Sequence, residues 1–284
     1  MSPRDGVADP AAAGRTVDLT TPDGVRLAVQ DWRRPSSGRD VLLIHGFSQS
    51  HRCWRRQTAG MLAGRLRLVT YDNRGHGGSG KPAEAAAYRD PVLWADEVRT
   101  VIDGMGLQRP ILVAWSYAGR IVLDYLTRHG DGAVGGLVMV GATSTLAPVC
   151  VGPAAALMAA MGHEDRAIAD AAAADFIDRC TRRPLPAEEA EAMRSHTALT
   201  PREVRRALVG RPADYDATLG GLRVPVLAIH GEDDAVIRPA MAEHTIRQAG
   251  NAELRLYPDV GHMPFWEASN RFDADLAAFA DACL

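Results

Sequence analysis

Apolar residues along this 284-residue chain fall into short continuous runs that alternate with longer stretches of helical periodicity. Two strand-like runs come first, at 16–20 and 25–32, separated by the turn signal Pro22-Asp23-Gly24. Val41-Leu42-Leu43-Ile44 is apolar at every position, as a parallel strand buried on both faces would be. Further runs predict strands at 66–71, 111–115, 137–140, 226–230 and 253–257. Trp94, Ala95, Val98, Val101, Ile102 and Met105 recur at helical spacing and predict a helix over 91–106 with one buried face. Other helices are expected at 53–62, 118–128, 240–249 and at the end of the chain. Alternation breaks once. Residues 146–222 carry helix patterns only, one of them opened by Thr200-Pro201-Arg202-Glu203, a capping box with proline at the first helical position.

Strand–helix alternation predicts an α/β fold: a mostly parallel, eight-stranded sheet with helices on both faces and a helical cap inserted after the sixth strand. The matching organisation is a flexible N-terminal tail over 1–14, a core domain from 15–145 and 223–284, and a cap (lid) over 146–222. Ligands of such sheets bind beyond the carboxyl ends of the strands, so the residues just past each strand carry the most weight.

Ala114-Trp115-Ser116-Tyr117-Ala118-Gly119 passes from a strand directly into a helix. A serine in a strand-to-helix turn, with small residues two positions to either side, fits a nucleophile elbow that lifts the hydroxyl above the sheet edge. The helix start supplies backbone N–H groups suited to negative charge; the plainer alternative is a serine that only caps its helix. Asp233-Asp234 follows the next-to-last strand and Asp259-Val260-Gly261-His262 the last, so Ser, Asp and His succeed one another after three different strands.

These marks are joined by His45-Gly46-Phe47-Ser48 after the third strand, Asp72-Asn73-Arg74-Gly75-His76-Gly77-Gly78-Ser79 after the fourth, and Gly231-Glu232-Asp233-Asp234. On them, residues 16–284 resemble the α/β-hydrolase-fold superfamily, and within it bacterial serine esterases and non-haem haloperoxidase-like (perhydrolase) members. The resemblance implies Ser116 as nucleophile, His262 as base, Asp234 rather than Asp233 as the orienting acid, and the backbone N–H groups of Phe47 and Tyr117 as an oxyanion hole. The family usually has glycine two residues before and after the serine. Here Ala114 and Ala118 stand there, and a hydroxyl displaced by ~1 Å would cost rate.

The implied enzyme is a carboxylic ester hydrolase that cleaves an ester, lactone or thioester of a small to medium apolar substrate through an acyl-enzyme on Ser116. Alternatives on the same fold are a perhydrolase or haloperoxidase-like enzyme, a non-hydrolytic natural-product tailoring enzyme (lyase or cyclase), and a ligand-binding receptor. Ser48, Trp115, Met158, Met161, Phe265 and Trp266 are expected to line the substrate pocket. No cofactor is expected.

Composition narrows the picture by exclusion. A net charge of −3, with acidic and basic residues interspersed, leaves no electrostatic footprint for nucleic acid. Lys81 is the single lysine and sits in a Gly/Pro loop, a poor setting for Schiff-base chemistry. The four cysteines are widely spaced and read as reduced and mostly buried. Gly75 to Pro82 imitates a nucleotide-binding loop, but Pro82 stands where a Mg²⁺-binding hydroxyl belongs and no helix starts there. It reads as a structural turn with Asp72 and Arg74 paired across it. The histidines lack metal-ligand spacing, and His45 and His230 are expected to cap strand ends or line a site wall. No apolar stretch has the length of a membrane span or the place of a signal peptide. The expectation is a cytoplasmic enzyme acting on a small molecule, without nucleic-acid or membrane partners, with a homodimer left open.

Overall fold

The computed structural model describes residues 14–32 and 38–283. The tail expected over 1–14 thus lies outside the described residues except for Gly14. Eight strands form a single sheet in the order β1-β2-β4-β3-β5-β6-β7-β8. They are β1 (Arg15–Thr20), β2 (Arg26–Asp31), β3 (Asp40–Ile44), β4 (Arg67–Tyr71), β5 (Ile111–Trp115), β6 (Gly136–Val140), β7 (Val226–Gly231) and β8 (Ala252–Tyr257). β2 runs antiparallel to β1 and β4, and every other pairing is parallel.

Burial explains the sequence pattern of each strand. β5, β6 and β7 are buried at every position because helices cover both faces, which is why their apolar runs are continuous. At the edge, β8 alternates, turning Glu253 and Arg255 outward, and such charges discourage pairing with another chain. Helix Pro91–Gly104 starts where expected: Asp90 accepts from Val92 N–H, proline occupies the first turn, and Trp94, Ala95, Val98, Val101 and Ile102 face the core. The helix expected over 53–62 is broken instead, into a 3-10 turn, His51–Trp54, and two short helices, Arg55–Thr58 and Leu62–Arg65.

Between β6 and β7 the regular elements are helices, the longest being Arg166–Asp178, Ala187–Ala198 and Arg202–Leu208. The capping box expected at Thr200 does not form. Helix Arg202–Leu208 starts one residue too late for that register, Pro201 takes the cap position, and the buried Thr200 hydroxyl has no partner among the described residues. All four cysteines are free and buried.

The glycine-rich loop after β4 is a structural turn, but Asp72 and Arg74 do not pair. Asp72 accepts from the His51 backbone N–H (2.7 Å), His51 Nδ1 (2.9 Å) and Gly78 N–H (2.7 Å). Arg74 is fully buried and donates from Nε to Glu97 (2.9 Å) and from Nη1 to Asp23 (2.9 Å). Glu97 lies on the core face of its helix, where burial pushes its carboxyl up to about 7 against the pull of the Arg74 guanidinium. Replacing Glu97 with alanine strips a buried cation of a partner, which costs about 3–5 kcal/mol where such pairs have been broken. Urea denaturation should show that loss; a change under about 1 kcal/mol would mean that Asp23 and the carbonyls of Ala87 and Leu93 suffice for Arg74.

Candidate active site

Ser116 sits in the turn that joins β5 to helix Ala118–His129, with φ at +58°. A side-chain-bearing residue rarely takes this left-handed conformation, which costs of order 1–3 kcal/mol and persists only where its surroundings over-determine it. The surroundings do so here. Ser116 N–H donates to Val140 O (3.0 Å), and Ser116 O accepts from the Gly119 and Thr143 N–H groups (both 3.0 Å). The turn is also tight. A methyl at Gly119 would lie 2.6 Å from Thr143 O, and one at Gly46 would lie 2.9 Å from Ser116 Cβ. Ala114 and Ala118 are fully buried within this packing, so alanine in place of glycine is accommodated without opening the turn. Ser48 and Asp259, in the loops after β3 and β8, are likewise left-handed (φ +56° and +57°).

His262 Nε2 lies 2.8 Å from Ser116 Oγ, and its Nδ1 lies 2.7 Å from Asp234 Oδ2. With Nδ1–H donating to the carboxylate, Nε2 is left to accept from the hydroxyl. The other Asp234 oxygen accepts from Val236 and Ile237 N–H (2.8 and 2.9 Å). Burial would raise the Asp234 carboxyl, but the His262 charge and hydrogen bonds from His230 and His262 outweigh it and hold the group well below the usual carboxylate range. Asp233 points elsewhere, with 43% of its side chain exposed and Arg182 at 3.3 Å.

Two features here go beyond the sequence reading. His230, expected to cap a strand end or line a site wall, donates to Ile237 O (2.8 Å) and stands 3.2 Å from Asp234 Oδ2. Glu267 pins the histidine loop by accepting from Gly261 N–H (2.8 Å) and Arg182 N–H (2.7 Å). The i,i+4 spacing of His230 and Asp234 was the available clue to the first; nothing in the sequence marked the second.

Neither the Phe47 nor the Tyr117 N–H has an acceptor among the described residues. Both adjoin Ser116, Tyr117 as its neighbour in sequence and Phe47 through Gly46. Two neutral histidines brace the Phe47 loop. Burial drives His76 down to about 3 and His45 to about 4, and each accepts a backbone N–H, from Ser48 (3.2 Å) and Asn73 (3.0 Å).

A cavity of about 70 Å³ adjoins Ser116, with walls that include Tyr117, Arg120, Met158, Val236 and Met241. Of the six residues expected to line the pocket, only Met158 does so. The other five are drawn into different packing. Trp115 donates from Nε1 to His262 O (2.9 Å), holding the histidine loop. Phe265 packs between Trp54 (tilted) and Trp115 (edge to face), with centroids 4.3 and 5.0 Å away, and Trp266 lies under Arg55 and Arg56 while donating to Glu189. Ser48 is buried beside Thr197, and Met161 is buried with its carbonyl accepting from Arg205. The remaining walls come from Thr143 to Ala155, past the end of β6, and from Ile237 past β7. Position after a strand was the signal that could have found them. Among the described residues no group of three or more His, Cys, Asp or Glu could hold a metal, and no helix is long and apolar enough to cross a membrane.

The model of the alpha/beta hydrolase family matches residues 41–279. A non-heme haloperoxidase of Rhodococcus erythropolis is 24% identical over 277 residues, covering 93% of this chain and 99% of that protein. Among solved structures, a Burkholderia cenocepacia protein is 31% identical with a TM-score of 0.90, covering 95% of this chain and 99% of its own. The esterase RhEst1 from Rhodococcus sp. ECU1013 is also 31% identical over the same shares, with a TM-score of 0.88.

Proposed function

Because the chain belongs to the alpha/beta hydrolase family, and is a hydrolase, we propose that it cleaves a carboxylic ester, lactone or thioester through an acyl-enzyme on Ser116. The observation that carries this reading is the continuous chain of short contacts from Ser116 Oγ through His262 to Asp234, at 2.8 and 2.7 Å. Neutral His262 takes the Ser116 proton as Oγ attacks the substrate carbonyl. The resulting oxyanion is met by the N–H groups of Phe47 and Tyr117, which have no other acceptor among the described residues. His262 then gives the proton to the leaving group, and a water deprotonated by the same imidazole releases the acid. Asp234 stays ionised throughout, fixes the His262 tautomer and balances the imidazolium. The helical segment 146–222 acts as the cap, contributing Met158 and its neighbours to the cavity beside Ser116.

A fluorophosphonate probe tests this directly. It should label the wild-type protein at Ser116 and leave Ser116→Ala unlabelled; equal labelling of the two would remove Ser116 as nucleophile. A perhydrolase reading has one observation in its favour, the full-length similarity to a non-heme haloperoxidase. Hydrogen peroxide in place of water would release a peracid from the same acyl-enzyme, and halogenation of a phenol dye in acetate and peroxide distinguishes the two.

A further inference from the structure

We propose that Arg120 binds a carboxylate carried by the substrate, so that the preferred substrates are short esters or thioesters bearing a second, ionised carboxyl group. This rests on the serine-hydrolase reading above and replaces the apolar substrate expected from the sequence with one that is apolar in its middle and anionic at one end.

Arg120 stands four residues past Ser116, in the first turn of helix Ala118–His129, and forms part of the cavity wall. It is only 8% exposed. Its Nη1 donates to Arg211 O at 2.7 Å, its guanidinium lies 5.0 Å from the centre of the Tyr117 ring, and its Nε, like those of Arg67, Arg205 and Arg211, has no partner among the described residues. No carboxylate comes within 4.0 Å of it among the described residues. The carboxylate of this cluster, Asp124, is already engaged by Arg211 and by the Tyr215 hydroxyl (2.7 Å). Arg120, Arg211 and Asp124 therefore bury two cations against one anion.

Other buried arginines are provided for differently. Arg74 has Glu97 and Asp23, and Arg67 has Asp31 and Asp40. Arg205 lacks a carboxylate but spends its guanidinium on the carbonyls of Met161 and Thr197. Arg120 alone of these is on the wall of the cavity beside Ser116. Burial lowers its pKa, as it does that of Arg205, so the location of Arg120 on the cavity wall is what distinguishes it. An anionic oxygen entering the cavity would supply a counter-charge, and a guanidinium suits a carboxylate through paired, charge-assisted hydrogen bonds. The competing explanation is mechanical: Arg120 ties its helix to the segment after residue 208. A strut needs shape and one hydrogen bond, and gives no dependence on substrate charge.

The test compares monoethyl glutarate with ethyl 5-methylhexanoate, which has the same shape without the charge. Wild-type kcat/KM should favour the glutarate roughly 10–100-fold, and Arg120→Met should cut that ratio at least 10-fold, with Arg120→Lys between them. Free glutarate should also slow fluorophosphonate labelling of wild-type Ser116, whereas glutaramide should not. If the neutral ester is turned over equally well and glutarate gives no protection, the proposal is overturned while the serine-hydrolase reading stands. If Ser116 is not labelled at all, that reading has failed and this one with it. Should Arg120→Met not fold, the wild-type ratio and the protection decide.

Discussion

Replacing Ser116 with alanine should lower kcat for a short p-nitrophenyl ester by about 10⁵-fold or more, the scale on which a serine nucleophile's loss is felt. The fold should survive. The strained φ of +58° is held by backbone hydrogen bonds to Val140, Gly119 and Thr143, and none of these uses the side chain. Only the contact to His262 Nε2 is lost, so the change in stability should stay within about 1 kcal/mol. Far-UV circular dichroism and a denaturation curve establish the fold, and steady-state kinetics give the rate. A well-folded alanine variant with more than a tenth of wild-type activity would show that the acyl group never resides on this oxygen.

Asp234→Asn should cost about 10⁴-fold in kcat, for a reason visible in the hydrogen bonds. One carboxylate oxygen is already committed to the N–H groups of Val236 and Ile237, so an asparagine will keep its oxygen there. Its NH₂ is then forced toward His262 Nδ1 and His230 Nε2, donor against donor. His262 can relieve this only by shifting its proton to Nε2, where it faces Ser116 Oγ and can no longer accept. A loss of less than 100-fold would mean that Asp233 or a water takes over. Arg182 holds Asp233 away, which argues that neither does so efficiently.

Much of this site was legible in the sequence because its parts are set by local rules. The turn at Ser116 needs small residues at fixed offsets, and Ala114, Ala118 and Gly119 supply them. Strands buried on both faces must be continuously apolar, so their carboxyl ends, and the residues just beyond, can be counted off the chain. The alternation of strands and helices also fixes the parallel sheet, and with it the shared rim at which Ser116, Asp234 and His262 meet.

Other assignments could not be read this way. Phe265 and Trp266 adjoin the histidine loop in sequence, yet they pack against Trp54, Trp115, Arg55 and Arg56. An aromatic residue buries equally well in a core or a pocket wall, and its sequence neighbours do not say which. Arg74 was expected to meet the nearby Asp72, but the structure gives it Glu97 from a helix and Asp23 from an early turn. Ion pairing depends on which side chains share a dry space, not on their separation along the chain. The sequence by itself thus determined the elements, their alternation and the three residues at the strand ends, since each follows from periodicity or turn sterics within a few residues. Tertiary structure alone decided the cavity lining, the carboxylate partners and the burial of Arg120 beside the cavity, since these depend on contacts between segments whose apolar and charged residues could have been satisfied in several ways.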